Sequence, residues 1–375
     1  MGKRNNLVNA KRIVIKVGTS TLTYGTGQLN IARIERLVRE IADIHNQNRE
    51  VLLVTSGAIG VGANRMGFKR VPKTMPEKQA LAAIGQGALL HLYEKLFAEY
   101  NKTVGQVLLT RGDLDDRIRY LNAASALSAL LGMKVIPIIN ENDTVAVEEI
   151  KFGDNDTLSA LVGGIVDADL LIILSDVDGL YESDPRVNRQ ARLLTEVREL
   201  TKEMEQNSKN RGSSFSSGGM LTKLNAARIC MAAGIPMIIA NGATENIIRR
   251  IIDGEELGTL FMPSQGRMHS RKKWIAFGSI VQGKVYVDWG ASTALTRQGK
   301  SLLPSGVTGV EGDFERGNVA AVINPDGHEI ARGIVNYNAN EIRVIAGKKT
   351  GEIEAILGNK DYDEVIHRNN LWVES

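Results

Sequence analysis

The residues best suited to chemistry lie in one polar loop, Asn140 to Asp156, which holds three aspartates, three asparagines and three glutamates. The loop follows an apolar run, Val135 to Ile139, that predicts a buried strand, and precedes a segment, Thr157 to Val166, that predicts a helix. An ordinary helix cap needs a single Asp or Asn. So many polar groups at the carboxyl end of a strand predict a ligand site instead.

Two lysines stand next to similar polar turns. Lys16 lies near the end of a predicted strand, Arg12 to Val17, and a Gly-Thr-Ser turn follows. Lys223 is the third residue of a predicted helix, Leu221 to Ala233, behind a loop rich in Ser and Gly, Ser213 to Met220. Backbone N–H groups at a helix start, together with a lysine, hold phosphate well. Both places therefore predict an anion site. The alternative for Lys16 is a solvated lysine on an edge strand, and the alternative for the loop before Lys223 is a plain linker.

The elements that must position these residues alternate between strand and helix. A mostly parallel sheet covered on both faces is the expected result. Each polar cluster follows a strand, which places all of them along one edge of the sheet. The predicted strands cover residues 12–17, 51–54, 104–109, 135–139, 169–174, 236–240 and 258–261.

The composition changes after Phe261. Residues 263–273 are predicted to form a linker, and residues 274–375 a second domain. Short β-rich segments punctuated by glycine, such as Val319 to Ile323, predict a small β-barrel there. The first domain is then expected to cover residues 1–262.

One segment of the second domain, Ala294 to Ser301, looks like a P-loop. A P-loop requires a helix directly after its Lys-Ser pair, so that the helix dipole faces the phosphate. Pro304 and Gly306 follow instead, and they prevent a helix. We therefore expect no nucleotide site at this segment.

The composition is that of a water-soluble globular protein. A net charge of +3 over 375 residues is too small to predict binding to nucleic acid. The single cysteine, Cys230, cannot form an internal disulfide, and none of the five histidines lies at metal-ligand spacing from another histidine or a cysteine. No apolar run reaches the ~18 residues of a membrane span. These features, and the lack of an apolar segment behind the N terminus, predict a cytoplasmic enzyme.

Several of these motifs, in this order, resemble the glutamate 5-kinases of the amino-acid kinase family with a C-terminal PUA domain. The likeness covers nearly the whole chain and implies a three-layer αβα sandwich, with a mostly parallel open sheet, followed by the PUA barrel. The motifs are Ile15 to Ser20, Val54 to Ile59, Asn140 to Val145, Phe152 to Asp156, Leu174 to Tyr181, Asp184 to Arg186 and Gly218 to Lys223, with Val287 to Ala291 and Gly299 to Val307 in the second domain.

The resemblance implies ATP-dependent phosphorylation of the side-chain carboxylate of L-glutamate, the first step of proline biosynthesis. Mg²⁺ is then held mainly through the phosphates, with no metal ligand assigned to the protein. Proline is implied as the feedback inhibitor, glutamyl phosphate reductase as the functional partner, and a homo-oligomer as the assembly. No membrane contact is expected.

The same resemblance assigns the site residues. It gives catalytic roles to Lys16, Asp156 and Lys223, and glutamate binding to Ser56, Asp143 and Asn155. The loop before Lys223 departs from the family, since it reads Phe-Ser-Ser-Gly-Gly where Gly-Thr-Gly-Gly is usual. The residues assigned to ATP are Lys16, Ser175, Asp176, Ser217, Gly218, Gly219, Met220, Leu221, Thr222 and Lys223.

Two other functions remain open at this point. One is a related kinase for N-acetylglutamate or aspartate; Asp143 argues against the acetylated substrate, which has no ammonium group to pair with it. The other is an RNA-binding protein, because PUA domains often bind RNA. The near-neutral charge argues against that, because phosphate contacts need clustered lysine and arginine.

Overall fold

We describe the protein from a computed structural model. It describes residues 3–68, 70–145, 154–183, 185, 187, 188, 190–201, 203, 204, 206, 219–263, 275 and 280–373. The chain divides into two compact units, Met1–Arg267 and Met268–Ser375. Except for Pro263, the predicted linker 263–273 lies outside the described residues, so the expected domain limits stay a prediction.

The first unit is built on an eight-stranded sheet with the order β3-β4-β2-β1-β5-β7-β8-β6. All neighbouring strands run parallel except the antiparallel pair β7 and β8. This confirms the predicted α/β fold with a mostly parallel sheet. The strands are β1 (Arg12–Val17), β2 (Glu50–Val54), β3 (Val104–Leu109), β4 (Ile136–Glu141), β5 (Leu170–Ser175), β6 (Glu196–Val197), β7 (Met237–Asn241) and β8 (Thr259–Phe261).

Nine α-helices of the described part of this unit accompany the strands. They are α1 (Thr19–Leu22), α2 (Ile31–Asn46), α3 (Ala58–Arg65), α4 (Met75–Ala98), α5 (Arg111–Asp115), α6 (Arg117–Gly132), α7 (Asn155–Ile165), α8 (Met220–Ala233) and α9 (Ile247–Ile252). Helices α2, α4 and α9 contribute to one apolar core with Ile13, Ile15 and Val17 of β1. On β1 the side chains alternate between the two faces, so Lys16 belongs to the opposite face.

Helices α3 and α4 cross with almost no space between their backbones. A Cβ on Gly62 would lie 1.9 Å from the Leu81 carbonyl oxygen, and one on Gly85 would lie 1.8 Å from that of Ala58. Only glycine permits this approach at either position. The crossing fixes the start of α3, directly after the turn that contains Ser56 and Gly57.

The second unit has its own apolar core and its own five-stranded sheet, with the order β10-β9-β11-β12-β13. The predicted β-rich C-terminal domain is therefore present, and the sequence did not predict its helices. Helix α10 ends directly before Gly299, and the residues after Ser301 continue into a short 3-10 turn at Pro304–Gly306, as expected for a segment that is not a P-loop. The elements are β9 (Val281–Val287), α10 (Trp289–Gln298), β10 (Val307–Gly312), β11 (Val319–Ile323), β12 (Glu329–Ile334), α11 (Ala339–Ile345), α12 (Ile353–Leu357) and β13 (Leu371–Val373).

No helix in the described ranges has both the length and the apolar character that crossing a bilayer requires.

Candidate active site

The centre of the candidate site is one carboxylate between two lysines. Lys16 Nζ lies 2.6 Å from Oδ1 of Asp156, and Lys223 Nζ lies 3.2 Å from Oδ2. Asp156 is fully buried, while Lys16 and Lys223 are 6% and 5% exposed. Two cationic side chains thus face a single anionic one in a space shielded from water.

The electrostatics keep Asp156 ionised. Burial by itself would raise the pKa of this carboxyl group, but the charges of Lys16 and Lys223, together with the hydrogen bonds from Lys16 and Thr222, outweigh burial and lower the pKa to about 2. At neutral pH the group is therefore a carboxylate, and a weak proton acceptor.

Three elements bring these side chains together from distant parts of the chain. Lys16 lies on the face of β1 that α7 covers. Asp156 lies in the first turn of α7, whose N-cap Asp154 accepts hydrogen bonds from the Thr157 backbone N–H at 2.6 Å and from its hydroxyl at 3.0 Å. This cap starts the helix at Asn155, two residues before the predicted start. Lys223 lies in the first turn of α8.

Thr222 supports the same carboxylate. Its Oγ1 lies 2.8 Å from Asp156 Oδ2 and 2.7 Å from the carbonyl oxygen of Gly219, so one hydroxyl hydrogen serves both acceptors. The resemblance assigns Thr222 to ATP. The structure shows that its hydroxyl joins α8 to the Asp156 cluster.

A second group of contacts centres on Asn155. Its Nδ2 lies 3.0 Å from the Thr55 carbonyl oxygen, 2.9 Å from Ser56 Oγ and 3.0 Å from Asn140 Oδ1. Asn140 Oδ1 also accepts from the Glu141 backbone N–H at 2.9 Å, which identifies that atom as the acceptor. The amide of Asn155 therefore has a defined orientation. Among the described residues no hydrogen-bond donor reaches its buried Oδ1.

These residues surround a cavity of about 310 Å³ at the carboxyl ends of β1, β2, β4 and β5. Ser217 and Gly218 lie outside the described residues, as does the part of the predicted polar loop from 146 to 153. Gly219 to Thr222 form the start of α8 and are not among the lining residues. The predicted site residues that line the cavity are Lys16, Ser56, Asp143, Asn155, Asp156, Ser175, Asp176 and Lys223.

The part of the cavity near Ser175 and Asp176, which the resemblance assigns to ATP, has fewer internal contacts. Ser175 Oγ donates to Asp176 Oδ1 at 3.1 Å at the end of β5. The backbone N–H groups at the start of α8, behind Gly219, lack helical partners, as at any helix start. They are the kind of group that binds phosphate.

Asn140 and Asp154 belong to the loop that the sequence predicts as a ligand site, but neither was assigned a role of its own. Both lie in the predicted polar loop and both line the cavity. Asn140 is 3% exposed even though it sits near the end of β4. In the sequence, Asn140 directly follows the apolar run that predicts a buried strand, and this signal could have identified it, because buried polar groups need partners.

Comparison with known proteins identifies the fold family. The sequence profile described as "Amino acid kinase family" matches residues 11–241, and the profile described as "PUA domain" matches residues 283–357. The chain belongs to the amino acid kinase family. It is therefore a kinase, which implies the use of ATP, and it carries a C-terminal PUA domain.

Several full-length bacterial relatives carry the name glutamate 5-kinase. The protein of Moorella thermoacetica is 55% identical, covering 98% of this chain and 97% of that protein. The proteins of Carboxydothermus hydrogenoformans and Geobacter sulfurreducens are 53% and 49% identical, each over 98% of this chain. Among solved structures, a UMP kinase from Bacillus anthracis overlaps 69% of this chain and 99% of its own, at 20% identity and a TM-score of 0.48, a likeness too slight to support an argument.

Proposed function

We propose that this amino acid kinase transfers the γ-phosphoryl group of ATP to the γ-carboxylate of L-glutamate, and so forms L-glutamyl 5-phosphate in the first step of proline biosynthesis. The observation that carries the proposal is the buried cluster of Lys16, Asp156 and Lys223 at the edge of the cavity. The name shared by the full-length relatives supports glutamate as the acceptor.

The cluster suits an anionic nucleophile. A glutamate side chain has a pKa of about 4.3 and is ionised at neutral pH, so its attack on phosphorus needs no base. The difficulty is that one anion must approach another. Lys16 and Lys223 can stabilise the charge that spreads over the transferring phosphoryl group. Asp156 keeps the two lysines in place between turnovers.

The glutamate pocket is proposed to lie between β2, β4 and α7. The carboxylate of Asp143 suits the α-ammonium group. Asn155 Nδ2 contacts the Thr55 carbonyl oxygen, Asn140 Oδ1 and Ser56 Oγ, so Asn155 is proposed to shape this pocket by holding the Ser56 hydroxyl in place. Ser56 Oγ accepts from Asn155, so its hydroxyl hydrogen can be donated to the α-carboxylate.

ATP is proposed to lie across Ser175, Asp176 and the start of α8, with its phosphates near Lys16 and Lys223. Mg²⁺ would arrive on these phosphates and reduce their negative charge. The nearby carboxylates fit a Mg²⁺ held by phosphates and not by protein ligands. Both carboxylate oxygens of Asp156 face cations or a hydroxyl, and those of Asp154 cap α7. In the described part of the chain no three His, Cys, Asp or Glu side chains group as metal ligands would.

The remaining partners are proposed from the resemblance to glutamate 5-kinases. An acyl phosphate is reactive, so we propose that a glutamyl phosphate reductase consumes it and that the end product, proline, inhibits the kinase. We place the enzyme in the cytoplasm, with its substrates, as a homo-oligomer.

The test is a kinase assay with hydroxylamine, which converts an acyl phosphate into a stable hydroxamate. L-glutamate, N-acetyl-L-glutamate and L-aspartate are compared at equal concentration with Mg-ATP. We expect hydroxamate from glutamate and little from the other two. A higher kcat/KM on N-acetylglutamate or aspartate would reassign the acceptor, and no ATP-dependent product from any of the three would contradict the proposal.

A further inference from the structure

Helix α4 buries two polar side chains that contact the ends of β2 and β4, the strands that lead into the candidate site. Gln86 is 7% exposed and Tyr93 is fully buried. They lie seven residues apart, which is two helical turns, so they share one face of the helix. Burying an amide and a hydroxyl is unfavourable unless each finds a partner, and both do.

Tyr93 contacts the end of β2. Its hydroxyl lies 3.0 Å from Thr55 Oγ1 in a fully enclosed space. Burial raises the pKa of Tyr93 to about 12, so the group is a neutral hydroxyl. The Thr55 backbone N–H donates to the Ile139 carbonyl oxygen at 2.9 Å, and its own carbonyl oxygen accepts from Asn155 Nδ2 at 3.0 Å. Thr55 thus links α4 to β4 and to α7.

Gln86 contacts the end of β4. Its Nε2 donates to the Glu141 carbonyl oxygen at 3.1 Å. The following Asn142 backbone N–H donates to the Leu109 carbonyl oxygen at 2.9 Å, and Asp143 then reaches the cavity. Gln86 therefore fixes the backbone two residues before the carboxylate that we assign to the substrate ammonium group.

We propose that Gln86 and Tyr93 are positioning residues that hold the two halves of the glutamate pocket at a fixed separation from one face of α4. The inference rests on the proposed function, because it takes glutamate as the ligand of Ser56, Asp143 and Asn155. The two polar contacts reach β2 and β4, the strands that precede these residues. Neither reaches the Lys16 strand, Ser175 or the start of α8, so the effect is confined to the glutamate side.

Two variants test the proposal, and a third controls for general destabilisation. Tyr93→Phe removes only the hydroxyl, and Gln86→Leu replaces the amide, including its Nε2 donor, by an apolar side chain of similar size. Phe97→Leu changes another fully buried side chain of α4, one turn beyond Tyr93, whose ring centroid lies 6.5 Å from that of Tyr93. Phe97 has no polar group, so its variant weakens the packing of α4 without altering either hydrogen bond.

We expect Tyr93→Phe and Gln86→Leu each to raise KM for glutamate about 3- to 10-fold, the range for losing one buried hydrogen bond. KM for ATP and kcat should stay within about twofold, because the groups that touch phosphate are unchanged. Phe97→Leu should lower Tm and leave both KM values unchanged. Removing both members of the pair, in Tyr93→Phe with Thr55→Val, should raise KM for glutamate by less than the product of the single effects.

A second readout does not depend on the substrate. The backbone N–H of Thr55 should exchange faster with solvent in Tyr93→Phe, and that of Asn142 in Gln86→Leu, each by about 3- to 10-fold, while Phe97→Leu changes neither selectively. Unchanged KM for glutamate and unchanged exchange in active variants would overturn this inference alone. The inference would also be overturned if Tyr93→Phe and Gln86→Leu raised KM for glutamate and KM for ATP equally, and Phe97→Leu had the same effect. Absence of hydroxamate from the unaltered chain would instead overturn the proposed function.

Discussion

At the scale of single residues, Lys16 and Lys223 meet through Asp156. Each lysine loses hydration on burial, and a buried cation needs an anionic partner. The carboxylate supplies that partner when no phosphate is bound. Two cations and one anion leave an excess of positive charge, which suits a site that must accept the phosphates of a nucleotide. The same three side chains therefore stabilise one another in the fold and provide the positive charge that the proposed reaction needs.

We expect Lys16→Ala and Lys223→Ala each to lower kcat on the order of 10²- to 10³-fold, the usual effect of losing one preorganised electrostatic group. Steady-state kinetics with both substrates saturating measures this, and circular dichroism checks the fold. Lys11→Ala is the matched control, because Lys11 is exposed just before β1 and does not line the cavity. A lysine variant with near-normal kcat would remove that residue from the mechanism.

Asp143→Ala should mainly raise KM for glutamate and leave KM for ATP nearly unchanged, because the proposed contact is with the substrate ammonium group and is made equally in the ground and transition states. Asp176→Ala is the matched comparison on the nucleotide side of the same cavity, and should move KM for ATP instead. If Asp143→Ala changed KM for ATP and left KM for glutamate unaltered, the proposed positions of glutamate and ATP in the cavity would have to be exchanged.

At the scale of elements, the sequence predicted seven of the eight strands of the first unit and missed the two-residue strand β6, and it indicates a helix most clearly where apolar residues recur with a helical period. Helix α2, for example, carries Ile34, Leu37, Val38 and Ile41 on its buried face. The polar turns after β1, β2, β4 and β5 could be placed on one edge, because parallel strands share their direction. Helix α10 was missed, since only Ser292 and Leu295 are buried along its length.

Contacts between distant segments could not be predicted from local pattern. The bond between Thr222 and Asp156 joins residues 66 positions apart, and that between Tyr93 and Thr55 joins residues 38 apart. Each depends on how two helices pack against the sheet. For the same reason the orientation of the Asn155 amide follows only from its contacts with Asn140 and the Thr55 backbone.

The crossing of α3 and α4 leads to a prediction with a control on the same helix. Gly85→Ala should destabilise the protein by about 1–3 kcal/mol or more, because the added methyl group meets the Ala58 backbone. Gly87→Ala places its methyl group where nothing lies within 4 Å, and should stabilise α4 by about 0.5–1 kcal/mol. Urea unfolding measures both. Equal effects of the two substitutions would contradict the close approach of the helices.

At the scale of the whole molecule, each unit has its own buried core, and every described residue of the candidate site belongs to the first unit. A chain shortened to residues 1–263 should therefore fold and keep glutamate kinase activity, with changes confined to regulation or assembly. Activity and gel filtration of the shortened and full chains measure this. A folded but inactive shortened chain would mean that the second unit contributes to catalysis.

The central claim is that phosphoryl transfer here needs positive charge and no general base. A base would appear as an acidic limb in the rate profile at its own pKa. The lowered pKa of Asp156, about 2, leaves this group ionised over the whole working range. The decisive measurement is kcat against pH, with glutamate and Mg-ATP saturating and the chemical step shown to limit the rate. We predict no single-proton acidic limb between about pH 6.5 and 8. A clear limb near pH 7 that disappears in Asp156→Asn would make Asp156 a general base and contradict the account.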